Sequence, residues 1–244
     1  MFSNRASARS WNQGIMDVSS TRKEMLGQRR ETPDGRVFRY ARAGAAALGA
    51  GKIGQAPAYI ANHCELSCAA AAIGDNVVNV TLGATAVTLN QYRDGYLLVN
   101  KGTGIGYTYH IESHAAAALS TAVDICLSDT IQVALVASGT SEVSLHYNKF
   151  DLVTQSTTQT LVPVGAAPRV VPINYYYWVQ TGGFCGCHID DTPANATRLI
   201  MSDAVAGNLE AANASLDIDE PVVATQMAKI GVNLEVSPVW LELD

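Results

Sequence analysis

Apolar and polar residues alternate along much of this chain, and the alternation has the period of strands. From Asn76 the string VVNVTLGATAVTLNQY is rich in β-branched residues and predicts a half-buried strand. Asp94-Gly95 supplies a turn, YLLVNKG a second strand, and the glycine-punctuated GTGIGYTYHIESH a third, which together predict a β-meander. TIQVALVA (130–137) reads as a buried strand, and VSLHYNKF as a further short strand or a loop. TQTLVPV, RVVPINYYYWVQTGG, FCGCHI and IGVNLEVSPVWLELD complete the set, with Pro163, Pro172 and Pro238 expected at edges, bulges or strand ends.

Helical patterning is sparse. DVSSTRKEMLGQRR (17–30) predicts a short helix capped by Ser19 or Ser20 and ending near Gly27. RLIMSDAVAGNLEAANAS (198–215) predicts another, interrupted by Gly207. The expectation is a mainly β protein, a barrel or sandwich body with an extended N-terminal arm and little helix. Residues 1–43 form the arm and 44–244 the body, and any division of the body into subdomains falls near 150–170. The Ala/Gly-rich stretch from Ala41 to Gly54 is too small-sided to build a core and is expected to lie extended against something else.

Composition adds two points. Charged residues make up 16% of the chain, against roughly 25% in ordinary soluble domains, which suits a subunit covered by neighbours. The net charge of −6 is unevenly placed: residues 1–43 hold nine Lys/Arg against four acids, or +5, leaving −11 for the remainder. A basic arm on an acidic body suits an acidic neighbour or another copy, whereas direct nucleic-acid contact is disfavoured by the charge of the body. No apolar leader opens the chain, and no run reaches the ~20 apolar residues of a membrane-spanning helix, so neither a membrane nor a secretory route is expected.

Candidate chemistry is thin. Cys185 and Cys187 in FCGCHI would share one strand face, with His188 on the other. Cys64 and Cys68 in ANHCELSC would stand one turn apart on a helix, so four thiolates could meet around zinc, or a pair could serve redox chemistry. Neither spacing is C-x₂-C, and small buried thiols are the commoner outcome, so no cofactor is expected. The glycines of GTGIGYTYH (Gly102, Gly104, Gly106) alternate and do not open a helix. They read as allowing close backbone approach on a strand, not as a phosphate loop. No serine sits in G-x-S-x-G, His110, His114 and His146 are scattered, and Asp190-Asp191 reads as a turn cap; no catalytic residue is assigned.

The aromatic run is the most distinctive feature. On a strand Tyr175 and Tyr177 face one way and Tyr176 and Trp178 the other, which suits a strand between a core and a subunit interface, with glycan binding the lesser reading. Three strings, TPDGRVFRYARAGAAALGAGKI, VTLGATAVTLNQYRDGYLLVNKGTGIGYTYHIESH and YYYWVQTGGFCGCH, resemble structural proteins of tailed bacteriophages. More narrowly, they resemble capsid decoration (cement) proteins. The likeness covers roughly residues 31–120 and 172–190, with a looser echo in the last fifteen residues.

That resemblance implies a non-enzymatic virion protein, made in the host cytoplasm and fixed to the capsid exterior, where it clamps neighbouring major capsid subunits. It further implies a homo-oligomer, with a trimer favoured, and an arm reaching over neighbours. Arg22, Arg29, Arg30, Arg36, Arg39 and Arg42 are the expected contacts. A tail or baseplate component is the alternative, and a zinc- or redox-dependent protein built on the cysteines is the reading from another class.

Overall fold

The computed structural model describes residues 10–137, 139–212, 220–228 and 235–244. The protein is mainly β, with fifteen strands and a single 3-10 turn among the described residues. It divides into two compact units, one formed by Met1–Ala56 with Phe150–Asp244, the other by Pro57–Lys149.

The 57–149 unit contains β4 (Leu66–Ser67), β5 (Val77–Thr81), β6 (Tyr96–Lys101), β7 (Thr108–His114), β8 (Ala122–Leu127) and β9 (Glu142–His146). They form one antiparallel sheet in the order β4-β9-β6-β7-β8-β5. An isolated bridge between Cys68 and Val80 then ties the end of β4 back to β5, so the sheet nearly closes into a barrel. Closure follows from strict alternation: Val78, Val80, Leu97, Val99, Tyr109, Ile111, Val123, Ile125, Val143 and Leu145 all point into a single core.

The other unit contains β1 (Arg29–Glu31), β2 (Val37–Arg42), β3 (Ile53–Gln55), β10 (Pro163–Ala166), β11 (Tyr176–His188), β12 (Arg198–Met201), β13 (Leu209–Ala211), β14 (Ala224–Gln226) and β15 (Val236–Glu242). Its main path runs β1-β2-β11-β15-β14-β12-β13, with β10 joining β3 to β11. The thirteen-residue β11 organises this sheet, pairing with β2 through its first half and with β15 through its second. The handover falls at Gly182-Gly183. Gly183 has φ +83°, and a Cβ there would stand 3.0 Å from the carbonyl oxygen of Gly35, so the strand can turn only because no side chain is present.

The connections share a device that was not read from the sequence. Leu48 with Val171, Ala71 with Leu135, and Val87 with Ala117 each form an isolated antiparallel bridge through reciprocal backbone hydrogen bonds. Three positions after five of these six residues stands a left-handed residue, Gly51, Gly74, Asn90, Ser120 or Asn174, that turns the chain into its next strand. The Ala-rich stretches are therefore clasps between strands, and their small side chains permit the approach.

Several expectations are corrected. Residues 17–30 form no helix, because the backbone of Ser19 exchanges both hydrogen bonds with Tyr176. Arg198–Ala212 is a hairpin of β12 and β13 instead of a helix. Ser202 Oγ accepts the N–H groups of Ala204 and Val205, and Gly207 at φ +76° finishes the reversal. TIQVALVA is a looped segment, held by Leu135 and by the Tyr109 hydroxyl against the Gln132 N–H, not a strand. Gly102, Gly104 and Gly106 all have positive φ and form the connection from β6 to β7 instead of lying on a strand. The described part of the arm is also no appendage: β1 and β2 are strands of the sheet, and residues 11–19 pack on it. The units meet in sequence at 56/57 and at 149/150, the latter beside the division expected near 150–170.

Candidate functional site

The aromatic run is the centre of the Met1–Ala56 and Phe150–Asp244 unit. Because successive side chains of β11 alternate, Tyr177 enters an apolar cluster with Ala41, Leu48, Val153, Val164 and Val171, while Trp178 enters the opposite face with Phe38 and Tyr40. Trp11 meets Trp178 edge-on at 5.1 Å between centroids, and Tyr40 does so from another side at 5.1 Å. Arg30 lies over both indoles, 5.3 Å from Trp11 and 5.6 Å from Trp178. Tyr176 stacks on Tyr40 at 5.9 Å, and Tyr175 packs partly buried against the Tyr177 cluster.

Gln13 connects this group. Its carbonyl accepts from Trp178 Nε1 at 3.1 Å and from the Arg30 guanidinium at 3.0 Å; its side chain accepts from the Tyr40 hydroxyl at 2.7 Å and donates to the Tyr176 carbonyl at 3.1 Å. Burial pushes the Tyr40 phenol up to about 12, so it remains a hydrogen-bond donor across the working pH range.

The six arm arginines expected to meet a neighbour all have partners inside the chain. Arg42 makes a two-pronged pair with Asp151 at 2.6 and 2.8 Å, and Arg39 does the same with the Asp244 side chain at 2.6 and 2.7 Å. The Arg39 hydrogen bond holds the Asp244 carboxyl below its ordinary range. Arg29 pairs with Glu31 and Arg36 with Asp34, both exposed, Arg22 donates to the Glu24 carbonyl, and Arg30 lies on the indoles. The Arg39 and Arg42 charges are thus held within the unit, by acids that come from distant sequence.

The cysteines are split. Cys64 and Cys68 lie in the 57–149 unit and Cys185 and Cys187 in the other. The ANHCELSC segment is a 3-10 turn (Ala61–His63) followed by β4, so Cys64 and Cys68 share no helical face. Cys68 is buried in the barrel, and its thiol donates to the Ser141 carbonyl. Cys185 and Cys187 do point the same way, into an apolar cluster with Leu199, Met201, Leu209 and Val239. They hydrogen-bond to each other, which lowers the Cys185 thiol and raises the buried Cys187. Among the described residues no group of three or more His, Cys, Asp or Glu side chains is placed to hold a metal ion.

The 57–149 unit holds a polar network that the sequence did not reveal. His63 Nε2 donates to the Thr85 carbonyl at 3.0 Å, and its Nδ1 accepts from the buried Tyr92 hydroxyl at 2.5 Å. His114 Nε2 accepts the Tyr92 backbone N–H at 3.0 Å while Nδ1 donates to the Ala115 carbonyl at 2.8 Å. Because His114 Nε2 accepts that N–H, this ring is held as the neutral Nδ1–H tautomer. Burial lowers the pKa of His114 and of His146 below the ordinary 6.5. The unfolded chain therefore takes up these protons first. Stability is fully present above pH 6.5 and is lost as pH falls through the folded values, by at most about 1.4 kcal/mol per pH unit for each histidine. Melting followed from pH 7.5 down to 5 is expected to decline, and His114→Gln to decline less steeply; equal slopes would remove His114 from this role.

Asp190 and Asp191 do not act together: Asp190 accepts from Ser202 Oγ and Asp191 from the Ala211 N–H. No helix among the described residues is long and apolar enough to cross a membrane. Comparison with protein-family models, with curated proteins and with solved structures finds no match for this chain.

Exposed apolar side chains are the last surface feature. In the 57–149 unit Tyr59, Ile73, Leu89 and Ile105 are 71%, 69%, 70% and 65% exposed. Ile73, Leu89 and Ile105 lie on tight turns outside the strands, each directly before a left-handed residue (Gly74, Asn90 and Gly106). Polar residues ordinarily occupy such tips. Sequence reading missed them because an apolar residue beside a strand looks like part of it.

Proposed function

We propose that this chain is a structural virion protein of a tailed phage, held on the outside of the head and clamping neighbouring major capsid subunits. The family resemblance supplies that class, and the exposed turn-tip residues are the observation that carries it. Large apolar side chains at turn tips, on a chain with few charges, suit a surface that neighbouring subunits cover. Arg39 and Arg42 are committed to Asp244 and Asp151 inside the chain, whereas Arg29 and Arg36, in exposed pairs, keep donors for a neighbour. The apolar part of the contact falls on Ile73, Leu89 and their neighbours. No catalytic step belongs to this reading.

The test uses phage heads assembled without this protein. Purified chain added to them is expected to sediment with the heads and to appear on their outer surface by electron microscopy. Ile73→Glu and Leu89→Glu are expected to weaken that binding at least about tenfold, the scale of an interface contact worth ~1.4 kcal/mol or more. Neither should alter the melting temperature, since neither side chain is packed. Heads that retain no wild-type protein would sink the proposal.

A further inference from the structure

One row of side chains runs across four strands on the outer face of the larger sheet. Phe184 on β11 stands opposite Trp240 on β15, Trp240 opposite Thr225 on β14, and Thr225 opposite Arg198 on β12. Phe184 is 53% exposed and Trp240 45% exposed, while their sequence neighbours Cys185, Val239 and Leu241 face the core. On β11 the positions two before and two after Phe184 are Gly182 and Gly186, so no side chain rises beside that ring on its own strand. Glu242, two residues beyond Trp240 on the same exposed face, accepts a hydrogen bond from Thr225 Oγ1 at 2.6 Å. The result is a pair of exposed aromatic residues on adjacent strands, with a hydroxyl, a carboxylate and an arginine carried on the same face.

We propose that this row is a glycan-binding platform for an extended chain of β-linked hexoses. Such sugars present a flat C–H face that stacks on aromatic rings and a rim of hydroxyls that need both donors and acceptors. The rings supply the first; Thr225, Glu242 and Arg198 supply the second. Phe184 and Trp240 rise from adjacent strands, so an extended sugar chain lying across the strands meets one aromatic ring after the other. Nucleic acid, which also stacks on aromatics, is disfavoured: Glu242 shares the exposed face with Trp240 and the chain beyond residue 43 carries −11. The site is separate from the turn tips assigned to capsid contact, so either assignment can fail alone.

The probes are the soluble hexamers of β-1,4-linked glucose and of β-1,4-linked N-acetylglucosamine, added to the full chain. Binding is read by saturation-transfer NMR on the sugar protons and by calorimetry. Saturable binding of at least one hexamer is expected with a Kd of about 1 mM or tighter. Trp240→Ala and Phe184→Ala should each weaken it at least about tenfold, Arg198→Ala by about threefold, and Trp240→Tyr should keep most of it. Phe184 and Trp240 are about half exposed, so all four variants should fold and melt within a few degrees of the wild type. No saturable response from either hexamer would overturn the proposal. It would equally be overturned if Trp240→Ala abolished attachment to phage heads or dissolved a wild-type dimer, because the row would then be a protein interface.

Discussion

Trp178→Ala is expected to destabilise the unit formed by residues 1–56 and 150–244 by about 4 kcal/mol, the range for emptying a large buried aromatic site. The loss has three parts. The indole is fully buried, its ring is the surface on which Trp11, Tyr40 and Arg30 converge, and its N–H is one of the donors that hold the Gln13 carbonyl. Without it, residues 11–19 lose their anchor and should become sensitive to proteases before the sheet unfolds. Urea denaturation with limited proteolysis reads both effects. A midpoint shift worth less than about 1 kcal/mol would show that the aromatic group is not the centre of this unit.

Asp151→Ala is expected to cost nearly as much, about 3–4 kcal/mol, because it leaves the Arg42 guanidinium partly buried without its two-pronged acceptor. Asp151 has only 5% of its side chain exposed, so its carboxylate is committed to this pair and is not held by bulk solvent. Asp34→Ala removes the same charge from an exposed pair with Arg36 and should leave the denaturation midpoint unchanged. A matched outcome for the two variants would mean that Arg42 is free to serve something outside the chain. Deleting residues 1–30 would strip Trp11, Gln13 and Arg30 from the Trp178 face of the sheet, and so would be read first as lost stability.

The strands legible in the sequence are those where alternation is long and one face is wholly apolar. VVNVT, YLLVNK, YTYHIESH, YYWVQ and VSPVWLE all became strands at or near their expected places. AVDICL, which forms β8, was passed over behind an alanine run, and TIQVALVA, equally apolar, became a loop. Local composition does not separate these two cases. What separates them is whether a neighbouring strand presents a free ladder, and the backbone of 130–137 is bound instead by Ala71, Asp75 and the Tyr109 hydroxyl.

The candidate residues divide the same way. That Tyr177 and Trp178 point to opposite faces follows from strand period alone, and so does the shared face of Cys185 and Cys187. That the basic N-terminal region is a strand pair closed by Asp151 and Asp244 does not follow, because those partners lie more than a hundred residues away in sequence. The same holds for the row from Phe184 to Arg198: its members come from four strands, and each looks like an ordinary exposed position until registers are known.

By itself, then, the sequence determined the class of structure and the direction of most side chains, because alternation, turn residues and glycines act locally on the backbone. Only the tertiary structure decided which charges are spent inside the chain, which thiols meet, and which apolar residues are left facing water. Those outcomes depend on strand pairing, and pairing is set by hydrogen bonds and packing between segments that no local pattern connects.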